Sequence, residues 1–161
     1  MVKVVGIDPG LAGTGIGVIE GKNSRVANYS FGSIETDKND PIHLRLNTIF
    51  TRVHAFLCLE KPDLVVIEDI FSLEKYPGSG IMLGKVSGVL HVAAFKAGAG
   101  VEELTVREAK RVITGSGSAD KDQVERSVRN ILNHPDPIRP FHASDALALA
   151  LAGFFRREKK L

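Results

Sequence analysis

Val2-Lys3-Val4-Val5-Gly6-Ile7-Asp8-Pro9-Gly10 is a β-branched run stopped by a Pro-Gly pair, and it reads as a strand followed by a turn. Thr14 to Glu20 reads as a second strand, with Gly21-Lys22-Asn23 as the next turn. Arg25 to Glu35 gives a third, with Val26, Tyr29, Phe31 and Ile34 as the expected inward residues. Three sequential strands with short connections suggest an antiparallel meander. Further on, Leu64-Val65-Val66-Ile67 is a continuous apolar run of the kind found in strands buried on both faces. Between them Pro41 opens a segment in which Ile42, Leu44, Leu46, Ile49, Phe50, Val53, Phe56 and Leu57 recur at helical spacing. A helix between two strands predicts a crossover, so the Leu64 to Ile67 strand is expected parallel to the first.

The remainder alternates the same way. Leu73 to Gly80, with Pro77, Gly78 and Gly80, reads as a loop, and Ile81 to Ala97 as a helix. Val101 to Leu104 is a short last strand. Thr105 with Glu108 three residues on matches a capping box and starts a helix to about Ile113. Gly115-Ser116-Gly117-Ser118 breaks it; Ala119 to Leu132 and Phe141 to Arg157 are two more helices, separated by a proline-rich turn from Asn133 to Pro140. The expectation is one α/β domain over residues 1–157, a mixed sheet covered by helices, with a short basic tail at 158–161.

Composition narrows the classes. At 161 residues, 43% hydrophobic and 25% charged, the chain has the balance of an ordinary globular domain, not of a disordered one. Cys58 alone permits no internal disulfide, and no Cys/His cluster suggests zinc, which favours a reducing, cytoplasmic setting. The longest apolar run, Ala146 to Phe155, is ten residues and too short to span a bilayer. Asp8 falls where a secretory signal needs its apolar core. A net charge of +2 neither demands nor excludes nucleic acid.

Three acids stand out. Asp8 ends the first strand and Glu68 ends the fourth. If those strands are parallel neighbours, their ends lie about 4.8 Å apart and both carboxylates face one crevice. Two such acids repel unless a cation sits between them, and hard oxygen ligands select Mg²⁺ or Mn²⁺ over zinc. Asp145 lies early in a helix otherwise built of Ala and Leu, and His142 three residues before it shares its face. Taken singly, each acid has a structural explanation: a turn residue, a solvated strand end, a helix N-terminal acid. Taken together they favour a site.

The motifs Gly6-Ile7-Asp8-Pro9-Gly10 with Thr14-Gly15-Ile16-Gly17, Ile67-Glu68-Asp69-Ile70-Phe71, Leu83-Gly84-Lys85-Val86-Ser87-Gly88, Gly115-Ser116-Gly117-Ser118-Ala119-Asp120-Lys121 and Ser144-Asp145-Ala146-Leu147-Ala148 together resemble the RuvC family, the bacterial Holliday junction resolvases. The resemblance implies an RNase H-like fold with a five-stranded mixed sheet. It implies a homodimeric endonuclease that resolves four-way DNA junctions by paired symmetric nicks in recombination and repair. It also implies two Mg²⁺ ions per site, with Mn²⁺ an alternative, and products bearing 5′-phosphate and 3′-hydroxyl ends. Asp8, Glu68 and Asp145 become metal-binding catalytic acids, with Asp8 between both ions, Glu68 on one, and Asp145 with His142 on the other. The family often carries a fourth acid where this chain has His142; imidazole binds Mn²⁺ but is a poorer Mg²⁺ ligand than carboxylate.

Thr105 to Leu132 holds six Lys/Arg against four acids. Free N–H groups at the second helix's start, beside Ser116, Gly117 and Ser118, suit a phosphate cradle, and by resemblance Lys110 and Lys121 touch DNA. A solvated helix pair is the alternative explanation. Phe71, ordinarily a burial residue, matches a family aromatic that lies near the junction's bases, where it would stack on one. Gly84 and Gly88 allow a second helix to approach, from a partner subunit or from within the chain. The basic stretch Arg156-Arg157-Glu158-Lys159-Lys160 reads as a solvated tail. The family resemblance also suggests a RuvAB branch-migration complex as partner. Competing readings are another RNase H-like nuclease acting on RNA or linear DNA, and a binding module without catalysis. An actin- or Hsp70-type ATPase needs a far longer chain.

Overall fold

The computed structural model describes residues 1–70 and 77–159. Its elements run β1 (Val2–Asp8), β2 (Gly13–Lys22), β3 (Arg25–Glu35), α1 (Ile42–Glu60), β4 (Leu64–Glu68), α2 (Pro77–Lys96), β5 (Val101–Leu104), α3 (Val106–Thr114), α4 (Lys121–Leu132) and α5 (Phe141–Glu158). They form one five-stranded sheet in the order β3-β2-β1-β4-β5. β1–β2 and β2–β3 pair antiparallel, and β1–β4 and β4–β5 pair parallel. Gly6 faces Val66 and Ile7 faces Ile67, so Asp8 and Glu68 leave adjacent central strands at the same end.

Both central strands are covered twice, which explains their unbroken apolar runs. Alternate residues feed opposite cores: Val4 and Val66 pack with Leu147, Leu151 and Phe154 under α5, whereas Val5, Ile7, Val65 and Ile67 meet Ile49, Val53 and Leu57 of α1 and Val86 and Leu90 of α2.

Four boundaries or placements differ from the sequence reading. α2 begins at Pro77, so Pro77 to Gly80 is its first turn; proline is tolerated there because the first helical N–H groups have no intrahelical partner. β2 runs on to Lys22 and the hairpin turns at Asn23-Ser24, both in the left-handed region at φ 53° and 57°, as a right-twisted two-residue hairpin requires. Of the four expected inward residues of β3, Val26, Tyr29 and Phe31 half-bury on the α5 side and Ile34 is buried on the other; alternation separates Phe31 from Ile34, and the register shift opposite Glu20/Gly21 brings Val26 onto the face of Tyr29. α4 starts after Asp120, whose carboxylate accepts the Gln123 N–H while Gln123 accepts the Asp120 N–H. Thr105 and Glu108 form the expected capping box on α3.

The stretch read as a solvated tail is partly engaged: Arg156 pairs with Glu108 at 3.3 Å and Arg157 donates to the Asp63 carbonyl at 3.2 Å. α2 is also, among the described residues, a helix long and apolar enough to cross a membrane; its Gly, Ser, Lys and His positions conceal this from a search for unbroken apolar runs. It lies on the sheet through Val86, Leu90, Ala93 and Ala94, leaving Ile81, Met82, Val92 and Phe95 exposed.

α5 crosses β1 and β2 at very short range. A Cβ added at Gly6 would stand 2.1 Å from the Ala146 carbonyl oxygen, one at Gly15 2.0 Å from that of His142, and one at Gly17 2.6 Å from the Leu147 nitrogen. Three glycines thus form the seat that lowers α5 onto the sheet.

Candidate active site

Asp8 enters the site from the C-terminal end of β1, where the following turn is fixed by the Thr14 hydroxyl donating to the Gly10 carbonyl at 2.8 Å. Thr14 is wholly buried, and Asp8 is only 7% exposed. Glu68 arrives from β4 alongside. Opposite them, the glycine seat brings the first turns of α5 close enough that His142 Nδ1 lies 3.0 Å from Asp8 Oδ2. Asp145, one turn further, faces the same space. Asp8, Glu68, His142 and Asp145 line one cleft of about 280 Å³, together with Lys110 of α3 and Lys121 of α4. Pro9, Leu83, Val106, Ala109, Val124, Ala148 and Leu149 form its apolar walls.

Burial and crowding raise the pKa of Glu68 and Asp145. Glu68 is pushed up to about 9, first by burial and then by hydrogen bonding to and repulsion from Asp8, with Asp145 adding repulsion and Lys110 opposing. Asp145 rises to about 6 through burial and the Asp8 charge, against Lys121, His142 and Lys110. His142 is raised chiefly by its hydrogen bond to Asp8. Among the described residues no three His, Cys, Asp or Glu side chains stand in ligand geometry about one point. Even so, three carboxylates and an imidazole converging on one cleft, with the ionised forms of two of the acids disfavoured there, is a donor set suited to a hard divalent cation.

The expected phosphate cradle lies apart from the acids. Ser116 and Ser118 share a second depression with Thr114, Gln123 and Arg126. Gly117 lies over Arg107, whose Cγ an added Cβ would meet at 2.7 Å. Phe71 lies outside the described residues. The charge count over Thr105 to Leu132 needs one correction: Glu125 is 4% exposed, accepts the Ile138 N–H at 2.9 Å and faces Arg129 at 3.1 Å, so those two charges are spent internally. The sequence reading missed Glu125, the glycine seat, and Arg139 stacked on Phe141; only the helical register of Val124, Glu125 and Val128 hinted that Glu125 turns inward.

A sheet of order 3-2-1-4-5 with paired carboxylates at the ends of its central strands, and a third on a helix laid across them, defines the RNase H-like class. A sequence model of the family described as "Crossover junction endodeoxyribonuclease RuvC" matches residues 4–153. The crossover junction endodeoxyribonuclease RuvC of Carboxydothermus hydrogenoformans is 38% identical over 157 residues, covering 96% of this chain and 97% of that relative. The RuvC of Dictyoglomus thermophilum is 36% identical over 155 residues, covering 96% and 98%. The Thermus thermophilus RuvC structure in complex with a Holliday junction substrate superposes with TM-score 0.90 at 31% identity, covering 99% of this chain and 97% of that one. The chain belongs to the RuvC family of crossover junction endodeoxyribonucleases, hydrolytic nucleases of DNA recombination and repair.

Proposed function

We propose that this chain resolves four-way DNA junctions by metal-dependent phosphodiester hydrolysis, with Asp8, Glu68, Asp145 and His142 as the catalytic and metal-holding residues. The observation that carries the reading is the convergence of these four side chains, from three separate elements, on one cleft flanked by Lys110 and Lys121. Two Mg²⁺ ions, or Mn²⁺ in their place, would activate a water and stabilise the charge gathering on the phosphate and the leaving oxygen. Asp8, the most buried of the three acids in the cleft, would help to hold both ions. Glu68 from β4 would help to hold one of them, and Asp145 with His142 from α5 the other. A cation held here would favour the ionised form of Glu68, whose proton is otherwise kept by burial and by the neighbouring Asp8. His142 would supply a nitrogen among the oxygens, a donor better suited to Mn²⁺ than to Mg²⁺. Lys110 and Lys121 hold the strand's phosphates at the mouth, and the Ser116-Gly117-Ser118 turn with the start of α4 holds the backbone further out.

Two symmetric nicks call for a two-fold dimer with one site per subunit. The face offered is α2: Ile81, Met82, Val92 and Phe95 are exposed, and Gly84 and Gly88 have nothing within 4 Å of an added Cβ. The alternative use of these glycines, close packing inside the chain, is therefore not realised among the described residues. Residues 1–157 act as one domain in a cytoplasmic enzyme, and a RuvAB-type branch-migration complex is its expected partner.

The test is a mobile four-way junction incubated with Mg²⁺ or Mn²⁺ beside a linear duplex. Paired symmetric nicks on the junction alone support the proposal. Equal cutting of the duplex makes the protein a general nuclease, and tight junction binding without cutting in either metal makes it a binding module.

A further inference from the structure

Just before α5 the chain builds a fixed cation that the functional reading leaves unused. Ile138 is fully buried, and its N–H donates to the buried carboxylate of Glu125 at 2.9 Å. The Ile138 carbonyl then accepts Nη1 of Arg139 at 3.0 Å. The Arg139 guanidinium carbon lies 4.1 Å from the centre of the Phe141 ring, and the Lys121 ammonium stands 5.9 Å from the same ring. The guanidinium is thus held at one nitrogen by a carbonyl that is itself anchored in the core, and over one face by an aromatic ring next to His142. Among the described residues no carboxylate pairs with Arg139, Lys121 or Lys110.

We infer that Arg139 is a phosphate-binding residue, gripping the DNA backbone at the start of α5, where it shares the Phe141 ring with Lys121. The chemistry selects phosphate over base. Stacking leaves the edge of a guanidinium free, and that edge presents the N–H fork that fits phosphate oxygens. Because one donor is already tied to Ile138 and the plane is set by Phe141, little side-chain freedom is left to lose when phosphate binds. Phe141 and Glu125 act through Arg139 as positioning residues.

The inference rests on the reading of the cleft as a junction-cutting site, so the test separates the two. Junction binding is measured against salt concentration in an Asp8→Asn background, where no strand is cut. Arg139→Gln is expected to weaken junction binding about tenfold at fixed salt and to flatten the slope of log K against log salt by about 0.9, the signature of one lost phosphate contact. Phe141→Leu, which leaves every charge in place, is expected to weaken binding about threefold at unchanged slope. Arg25→Gln, at the opposite end of the sheet, controls for net charge and leaves both unchanged. An Arg139→Gln protein that keeps its melting temperature and the parent slope overturns the inference, as does an equal flattening by Arg25→Gln. If the parent binds a four-way junction no better than a duplex, the functional reading falls and the inference with it.

Discussion

Gly15→Ala is the perturbation that the seat of α5 makes most informative. The added methyl would stand 2.0 Å from the His142 carbonyl oxygen, 2.4 Å from its carbonyl carbon and 3.0 Å from its Cβ. Ordinary contact begins at 3.4 Å, so the first turns of α5 must lift by about 1.4 Å or slide by as much. Both neighbours are backbone, which cannot rotate away as a flexible side chain would. Overpacking of this kind costs about 1–3 kcal/mol, which is a few to about 10 °C in melting temperature for a chain of this size. Against a typical stability of about 5–15 kcal/mol the protein stays folded. The chemistry suffers more: a lift of that size carries His142 away from Asp8, now 3.0 Å apart, and moves Asp145 with it. A misplacement of about 1 Å costs on the order of 10²-fold in rate. Single-turnover junction cleavage and thermal melting are measured side by side, with Gly32→Ala as control because an added Cβ there meets nothing within 4 Å. A Gly15→Ala protein that cuts within about threefold of the parent refutes the argument that the glycine seat sets the site.

Asp8→Asn is expected to abolish cleavage while junction affinity stays within about threefold, read by gel shift beside a cleavage time course. In chelator, stability is expected to fall as pH rises from about 6 to 9. Over that window Glu68, pushed up to about 9, binds a proton in the folded state that the unfolded chain has released, and raised His142 loses its stabilising proton in the same direction; Asp145, pushed up to about 6, makes its contribution at lower pH. Mg²⁺ or Mn²⁺ should therefore raise the melting temperature more at pH 9 than at pH 6, and Glu68→Gln should flatten the chelator profile; a profile that rises through this window contradicts the assignment. Val92→Glu with Phe95→Glu, on the exposed face of α2, is expected to yield monomers by sedimentation that cut junctions at least tenfold more slowly than the parent.

The sheet was readable because its signals are local. The apolar run of Leu64 to Ile67 marked a strand covered on both sides, and its pairing with β1 followed from the helix between them. Asp8 and Glu68 were legible for the same reason: once two parallel strands are adjacent, residues closing them share an end. His142 and Asp145 needed the family motif as well, because their approach to Asp8 depends on Gly6, Gly15 and Gly17 meeting a helix more than a hundred residues away in sequence. No period or propensity announces such a seat. Glu125 was misread for a related reason: a charged residue in an amphipathic helix looks solvated until its buried partner, the Ile138 N–H, is known. Pro77 and its glycines were read as loop because propensity weighs against helix there, and tertiary context prevailed.

In the proposed function β1, β4 and α5 deliver Asp8, Glu68, Asp145 and His142 to one metal-holding, strand-cutting cleft. Anomalous diffraction from a crystal of the Mn²⁺-loaded protein with a four-way junction tests it most directly. Two manganese peaks are expected, both within bonding distance of the Asp8 carboxylate, one on the Glu68 side and one on the side of Asp145 and His142. Manganese bound elsewhere, or a cleft that holds DNA with no peak touching Asp8, would contradict it.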